Sequence, residues 1–273
     1  MIKSCTIIYF SPTGTTKKVV KIIADDVAKH LPIHSEPNKG IPYRELDITN
    51  PIKDLKETDF TFGKDDFVII GIPVYSGRVP KLAKKALLSL RGNHTPAALI
   101  ATFGNRHYDD SLLELKTLVE SHGFLVVAAG AFVTEHTVVQ KFGAGRPNDE
   151  DIRKIHQFAN HLANKLHSWN PSNHSDLSIK GNPTYRRYKS IPITPHTIRS
   201  QCVTCGACAK QCPAKAISME HPQKTDRKKC VTCMRCVRRC PQKARSLHKY
   251  EEFIAEKSIA KLCRDYKYPE IFI

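Results

Sequence analysis

Apolar residues in the first two thirds of this chain gather into short unbroken runs, separated by stretches with helical periodicity. Residues 3–10 (Lys-Ser-Cys-Thr-Ile-Ile-Tyr-Phe) read as a buried strand, because an apolar, β-branched run with no polar alternation suits a strand covered on both faces. An amphipathic helix follows to about Leu31, with Val19, Ile22, Ile23 and Val27 on one side. Residues 41–48 make a short second strand, and Asp66 to Pro73 is a third, continuously apolar one. A helix to roughly Leu90, a strand from Ala97 to Thr102, another helix and a strand from Phe124 to Val133 come next. A helix from about Asn148 to Trp169 closes the series. Five strands alternating with helices predict an α/β fold with a doubly wound parallel sheet.

The pattern then changes. Ser168 to Ser200 is rich in Pro, Asn and Ser and reads as a linker. The last third has no long apolar run and is dominated by cysteine. With 273 residues the chain has room for two domains. The expected division is a nucleotide-sized α/β domain over 1–169, a linker over 170–198, a cysteine-bearing unit over 199–250 and a short helical tail over 251–273.

Cys202, Cys205, Cys208 and Cys212 precede Pro213, and 28 residues further on Cys230, Cys233, Cys236 and Cys240 precede Pro241. Both runs are C-x₂-C-x₂-C-x₃-C-P. Val203-Thr204 matches Val231-Thr232 and Lys215-Ala216 matches Lys243-Ala244, so a whole loop-plus-helix unit is repeated. Structural zinc sites use paired cysteines split by a longer spacer, not triplets followed by C-P. Disulfides belong to oxidising compartments, and no signal peptide opens the chain. Cys5 and Cys263, outside the runs, read as packing residues. The spacing resembles that of bacterial two-cluster ferredoxins. That resemblance implies a small α+β ferredoxin-like domain with two [4Fe–4S] clusters and crossed ligation. Three cysteines of a run hold one cube, while the fourth, carried off by a helix, reaches the other. Cluster I would take Cys202, Cys205, Cys208 and Cys240; cluster II would take Cys230, Cys233, Cys236 and Cys212.

The first strand runs directly into Ser11-Pro12-Thr13-Gly14-Thr15-Thr16 at the start of a helix. Free amides and the helix dipole there suit an anion. Neither a closing Gly-Lys-Ser/Thr nor GxGxxG is present, so the loop suits a phosphate monoester that is held and not transferred. The third strand ends in Pro73-Val74-Tyr75-Ser76-Gly77-Arg78, and the fourth in Thr102-Phe103-Gly104-Asn105-Arg106-His107-Tyr108-Asp109. Strand followed by S-P-T-G-T-T, with two more such loops, resembles the flavodoxins. The resemblance implies a 2-1-3-4-5 strand order, with FMN at the strands' carboxyl ends. Tyr75 would stack on the flavin ring and Gly77 would offer a reorienting peptide. Gly104 and Asn105 would meet the pyrimidine edge, Tyr108 would flank the second face, and Arg78 and Arg106 would favour the reduced, anionic flavin. His136, after the fifth strand, could reach the site, though a hydrogen-bonded loop histidine is the favoured reading. The acidic residues that usually flank flavodoxin sites are missing.

The net charge of +17 is uneven: residues 181–273 hold 20 Lys/Arg against 7 Asp/Glu, leaving +4 to residues 1–180. The basic residues are not interleaved with stacking aromatics and no groove-reading motif accompanies them, which argues against nucleic acid. Such a field suits acidic redox proteins as partners; a homodimer is left open. No apolar run approaches membrane-spanning length, and a cytoplasmic location is expected.

Taken as a whole, the chain resembles the flavodoxin–ferredoxin fusion proteins of anaerobic bacteria and archaea. The resemblance implies electron relay between FMN and the clusters and on to external carriers. No acid–base or nucleophilic catalyst stands out. The alternative is a flavin-dependent reductase of a quinone or nitro compound, fed through the clusters.

Overall fold

The computed structural model describes residues 2–33, 36–50, 60–189 and 193–273. Residues 190–192 of the expected linker lie outside them. The main elements are β1 (Ser4–Tyr9), α1 (Thr15–His30), β2 (Tyr43–Asp47), β3 (Asp66–Pro73), α2 (Lys81–Leu87), β4 (Thr95–Phe103), α3 (Ser111–Glu120), β5 (Phe124–Val133) and α4 (Asp149–His167). Further along come β6 (His196–Thr197), α5 (Ala207–Lys210), α6 (Arg235–Arg238), β7 (Arg245–Ser246), α7 (Lys249–Ile259) and β8 (Glu270–Phe272).

Strands β2, β1, β3, β4 and β5 are parallel neighbours in that order, the flavodoxin-like arrangement the sequence implied. Successive residues face opposite sides of a strand, so each apolar run feeds two cores. Ile7, Phe67, Ile69 and Ile100 pack under α1 and α4 against Val20, Ile23, Phe158 and Leu162. Ile8, Val68, Ile70 and Leu99 pack on the other face under α2 and α3, against Ala83, Leu87, Leu112 and Leu115. Each such large side chain contributes about 1.5–3 kcal/mol by leaving water.

Among the described residues the sheet has six strands, not five. β8 joins β5 antiparallel, pairing Glu270 with Ala131 and Phe272 with Ala129. Three residues show too little periodicity to be read as a strand, and this one exists because the long edge of β5 offers it a ladder. The expected helical tail is therefore a helix followed by a returning strand. The expected linker is also more than a spacer. Ile179 is buried in the sheet's core, Asp176 pairs with Lys116 at 2.6 Å, and the Tyr188 hydroxyl donates to the Val79 carbonyl at 2.7 Å.

In the cysteine-bearing unit β6 and β7 form a two-stranded ribbon, and α5 and α6 are single-turn helices. The sequence repeat is also a backbone repeat. Thr204 and Thr232, Gly206 and Met234, and Lys215 and Lys243 all have left-handed φ, between 48° and 72°. Only at 206 does glycine remove the cost of that conformation.

Candidate functional site

The left-handed residues curl each cysteine run around a small cavity. One cavity is lined by Cys202, Cys205, Cys208 and Cys240, the other by Cys212, Cys230, Cys233 and Cys236. Each thus gathers three cysteines of one run and the last of the other. Backbone amides donate toward sulfur at equivalent places: Ala216 to Cys212 and Ala244 to Cys240, both at 3.2 Å, and Thr232 to Cys230 at 3.4 Å. Burial pushes the Cys233 thiol up to about 12 and raises those of Cys208, Cys230 and Cys236. Such thiols lose their protons to a bound metal rather than to water. Among the described residues no three His, Cys, Asp or Glu side chains form a single-ion group. Four cysteines line each cavity instead, enough to supply one thiolate to each iron of a four-iron cluster were one bound there. Arg245, 3 % exposed, lines the first cavity and reaches Cys236 Sγ in the second at 3.8 Å. A guanidinium between the two cavities would offset the negative charge of thiolates and clusters held there.

A larger cleft of about 430 Å³ opens over the carboxyl ends of β3, β4 and β5. Its floor includes Thr15, Pro73, Val74, Tyr75, Ser76, Thr102 and Gly104. Its far wall is Lys228, Lys229, Cys230, Val231 and Thr232, from the second cysteine run. Tyr75 and Arg78 close a tight turn by exchanging backbone hydrogen bonds at 3.1 and 3.0 Å. Ser76 and Gly77 take positive φ of 55° and 77°, as a type I′ turn requires. Burial raises the Tyr75 phenol well above its usual range, and the nearby Cys233 adds to the effect. His136 also lines the cleft. Burial, reinforced by Arg106, pushes its imidazole down to about 4. Its Nδ1 accepts from the Val138 and Val139 amides at 3.3 and 3.0 Å, so the neutral ring carries its proton on Nε2 and can donate from there.

The loop from Ser11 to Thr16 lies at the start of α1, with Gly14 as N-cap at φ 90°. Ser11 and Thr16 are buried. The Lys17 amide donates to Ser11 Oγ at 3.0 Å, and the Thr16 and Thr102 hydroxyls are 2.7 Å apart. Lys17 pairs with Glu45 at 2.7 Å.

A profile of the family described as 4Fe-4S dicluster domain matches residues 201–245. That segment follows a parallel sheet of flavodoxin-like strand order. Solved structures similar to the chain include a flavodoxin from the domain Archaea, 12 % identical over 60 % of this chain and 99 % of that one, at a TM-score of 0.43. A flavodoxin from Streptococcus pneumoniae TIGR4 is 19 % identical over 59 % and 99 %, at a TM-score of 0.41. An FMN-dependent NADH-azoreductase from Bacillus anthracis, in complex with FMN, is 11 % identical over 60 % and 99 %, at 0.40. The observed strand order, and not these likenesses, carries the fold assignment. Among curated proteins no sequence matches this chain at significance.

In the loops at the strands' carboxyl ends, several residues expected at a flavin are engaged elsewhere. Arg78 is buried and holds Glu114 through two bonds of 2.7 and 2.8 Å, with the Tyr185 and Tyr188 rings beside it. Asn105 donates to the carbonyls of Cys263 and Asp265 at 2.9 and 3.2 Å. Tyr108 is buried and binds Glu270, and Phe103 packs against its ring at 6.0 Å. Arg106 pairs with Asp109, which also takes Arg186, and a Cβ on Gly77 would strike Asp109. Sequence reasoning placed these residues at the cleft because they belong to the right loops. It missed that the linker and the C-terminal segment return to occupy their side chains. It also missed Lys81, Thr134, Lys189 and the Lys228–Thr232 wall. Lys81 lies three residues beyond Arg78, Thr134 two before His136, and the wall surrounds Cys230, which was expected as a cluster ligand and not as part of this cleft.

Proposed function

We propose that this chain is an electron-transfer protein in which FMN, held over the carboxyl ends of the parallel strands, communicates with two [4Fe–4S] clusters. The observation that carries the reading is the shared cleft, where Val74, Tyr75 and Gly104 of the sheet domain face Cys230, Val231 and Thr232 of the dicluster domain. Its volume suits a cofactor site. Ser11 to Thr16 supplies amides and hydroxyls for the phosphate; Tyr75 offers a face, and His136 Nε2 a donor, to the ring system. The cysteines of the two cavities are the proposed ligands of clusters I and II. A bound flavin supplies two-electron storage, while each cluster carries one electron.

The arrangement also suggests an order. Cys230 and the buried Cys233 put cluster II on the flavin side. Cluster I faces outward, since Cys205 is exposed and Val203 and Met219 beside it are 62 % and 61 % exposed. Electrons would pass between flavin, cluster II, cluster I and an acidic redox protein attracted by the surrounding cations. The test is anaerobic purification with flavin, iron and sulfide analysis, followed by a redox titration monitored by EPR. The expected content is one FMN, eight iron and eight sulfide per chain, from two clusters of four. Zinc in place of iron, or no affinity for FMN, would overturn the reading. Turnover of quinones or nitro compounds faster than any protein acceptor would favour the reductase alternative.

A further inference from the structure

The phosphate loop has an unusual neighbour. Arg235, at the start of α6 between Cys233 and Cys236, is only 7 % exposed, and its Nη1 lies 3.5 Å from the Ser11 carbonyl. That contact is at the outer limit of a hydrogen bond. Its Nε is buried with no partner among the described residues. Arginine keeps its charge when buried, and a buried cation without opposite charge is costly; Arg235 also lines the cluster II cavity, whose thiolates would meet one side of that charge and leave the side toward Ser11 open. A guanidinium in this position calls for an anion.

The loop itself calls for a cation. Ser11 to Thr16 contains no Lys or Arg, and Lys17 is committed to Glu45. Its ligand would meet a helix N-terminus and hydroxyls, which favour a dianionic phosphate but leave much of its charge uncompensated. Arg235 reaches the first residue of that loop from the other half of the molecule. Guanidinium is the side chain best shaped to hold phosphate through two parallel bonds.

We infer that Arg235 completes the phosphate site, so that the cluster-bearing half supplies the cation by which the sheet domain distinguishes FMN from riboflavin. The inference rests on the flavin reading proposed above. It makes flavin affinity depend on α6, because Arg235 and its neighbours Cys233 and Cys236 all line the cluster II cavity. Assembly of cluster II would thereby hold the FMN site in its tight form.

The experiment uses the full-length, cluster-loaded protein freed of flavin, and measures dissociation constants for FMN and for riboflavin. The variants are Arg235→Gln and Arg235→Lys, with iron content and EPR recorded for each. Removing a charge-assisted, bidentate contact should weaken FMN binding about tenfold or more, while riboflavin affinity stays within about twofold. Lysine, a point charge without the fork, should fall between. FMN affinity unchanged in Arg235→Gln would overturn the inference and assign the guanidinium to cluster II. Equal losses for both flavins would overturn it too, showing a role in holding the two halves together. If the wild type binds neither flavin, the flavin reading fails as well, which the wild-type constants alone reveal. A second measurement needs no variant. Phosphorus NMR of the oxidised FMN complex should show the phosphate still dianionic well below its ordinary second pKa of about 6. An ordinary titration would place Arg235 elsewhere.

Discussion

The Tyr108 hydroxyl donates to Glu270 at 2.9 Å, across 162 residues of sequence. One residue belongs to the loop after β4 and the other to β8, so this bond fastens the returning strand to the sheet domain. Burial alone would raise the Glu270 carboxyl, yet donation from Lys180 and Tyr108 holds it below its ordinary value. Tyr108→Phe should cost about 1.5–3 kcal/mol of local stability, the net worth of a bond to a charged acceptor. Amide hydrogen exchange in residues 270–272 should quicken, while β1 and β3 keep their protection. Uniform acceleration throughout the sheet would show instead that the bond supports the whole domain.

Arg78 and Glu114 form a buried ion pair with side chains 10 % and 2 % exposed. Glu114 also accepts from the Val79 amide at 3.0 Å and from Lys84 at 3.2 Å. Burial would raise the Glu114 carboxyl; these donors, Arg78 foremost, outweigh it and hold it below the ordinary value. Glu114→Ala leaves a buried guanidinium unpaired and should cost about 3–5 kcal/mol. Because the carboxyl is depressed in the folded state, its contribution is present above the ordinary carboxylate range and fades as pH falls through the lower folded value. Denaturant midpoints measured from pH 6 down to about pH 3 should therefore drop more steeply for the wild type than for the variant.

His136 acts in the same sense but in a higher pH window. Its folded value of about 4 lies below the ordinary imidazole value of about 6.5. Between those two values the unfolded chain takes up a proton that the folded one refuses, so stability falls as pH falls through that window. His136→Asn keeps an acceptor for the Val138 and Val139 amides and removes the titration. The variant should be nearly flat where the wild type slopes. Parallel slopes would show that the acid sensitivity originates in other groups.

The proposed crossed ligation makes Cys212 a sharp probe, because it lines the second cavity while belonging to the first run. Cys212→Ala should remove or degrade cluster II and leave the EPR signal of cluster I in place. Loss of cluster I instead would mean that each run binds its own cube.

Transfer to acidic carriers should slow with added salt, since exposed charges are screened over roughly 8 Å at physiological ionic strength. The informative reversals are at Lys210, Lys215 and Lys243, all exposed. Arg238 is unsuitable, although its position in the basic cluster invites it, because it pairs with Glu135 of the sheet domain. Changing it to Glu would set two carboxylates against each other between the two halves. In stopped-flow mixing, rates indifferent both to salt and to the triple reversal would leave these lysines without a docking role.

The sheet was legible because apolar runs such as Asp66 to Pro73 have no other way to bury both faces. The cysteine cavities were legible because ligand spacing is local chemistry, written within eleven residues of chain twice over. What escaped reading were contacts between distant segments. Nothing near Asn105 announces that its amide will hold the carbonyls of Cys263 and Asp265, and nothing near Arg78 announces Glu114. Side chains in flavin-type loops look alike whether they face a ligand or another part of the chain. Only the folded path of residues 176–188 and 263–272 separates the two cases.

That path has a mechanical meaning. Because β8 returns to the edge of β5, the cysteine-bearing segment is not a pendant at the end of a tether. It is an excursion that leaves the sheet domain after α4 and comes back to it, anchored at both departure and return. A singly tethered domain samples a volume set by its linker, and its encounter with the flavin would be a diffusive event. A doubly anchored one has most of that freedom removed before any electron moves. Internal transfer should then be insensitive to solvent viscosity, leaving docking of the outside partner as the step that viscosity slows.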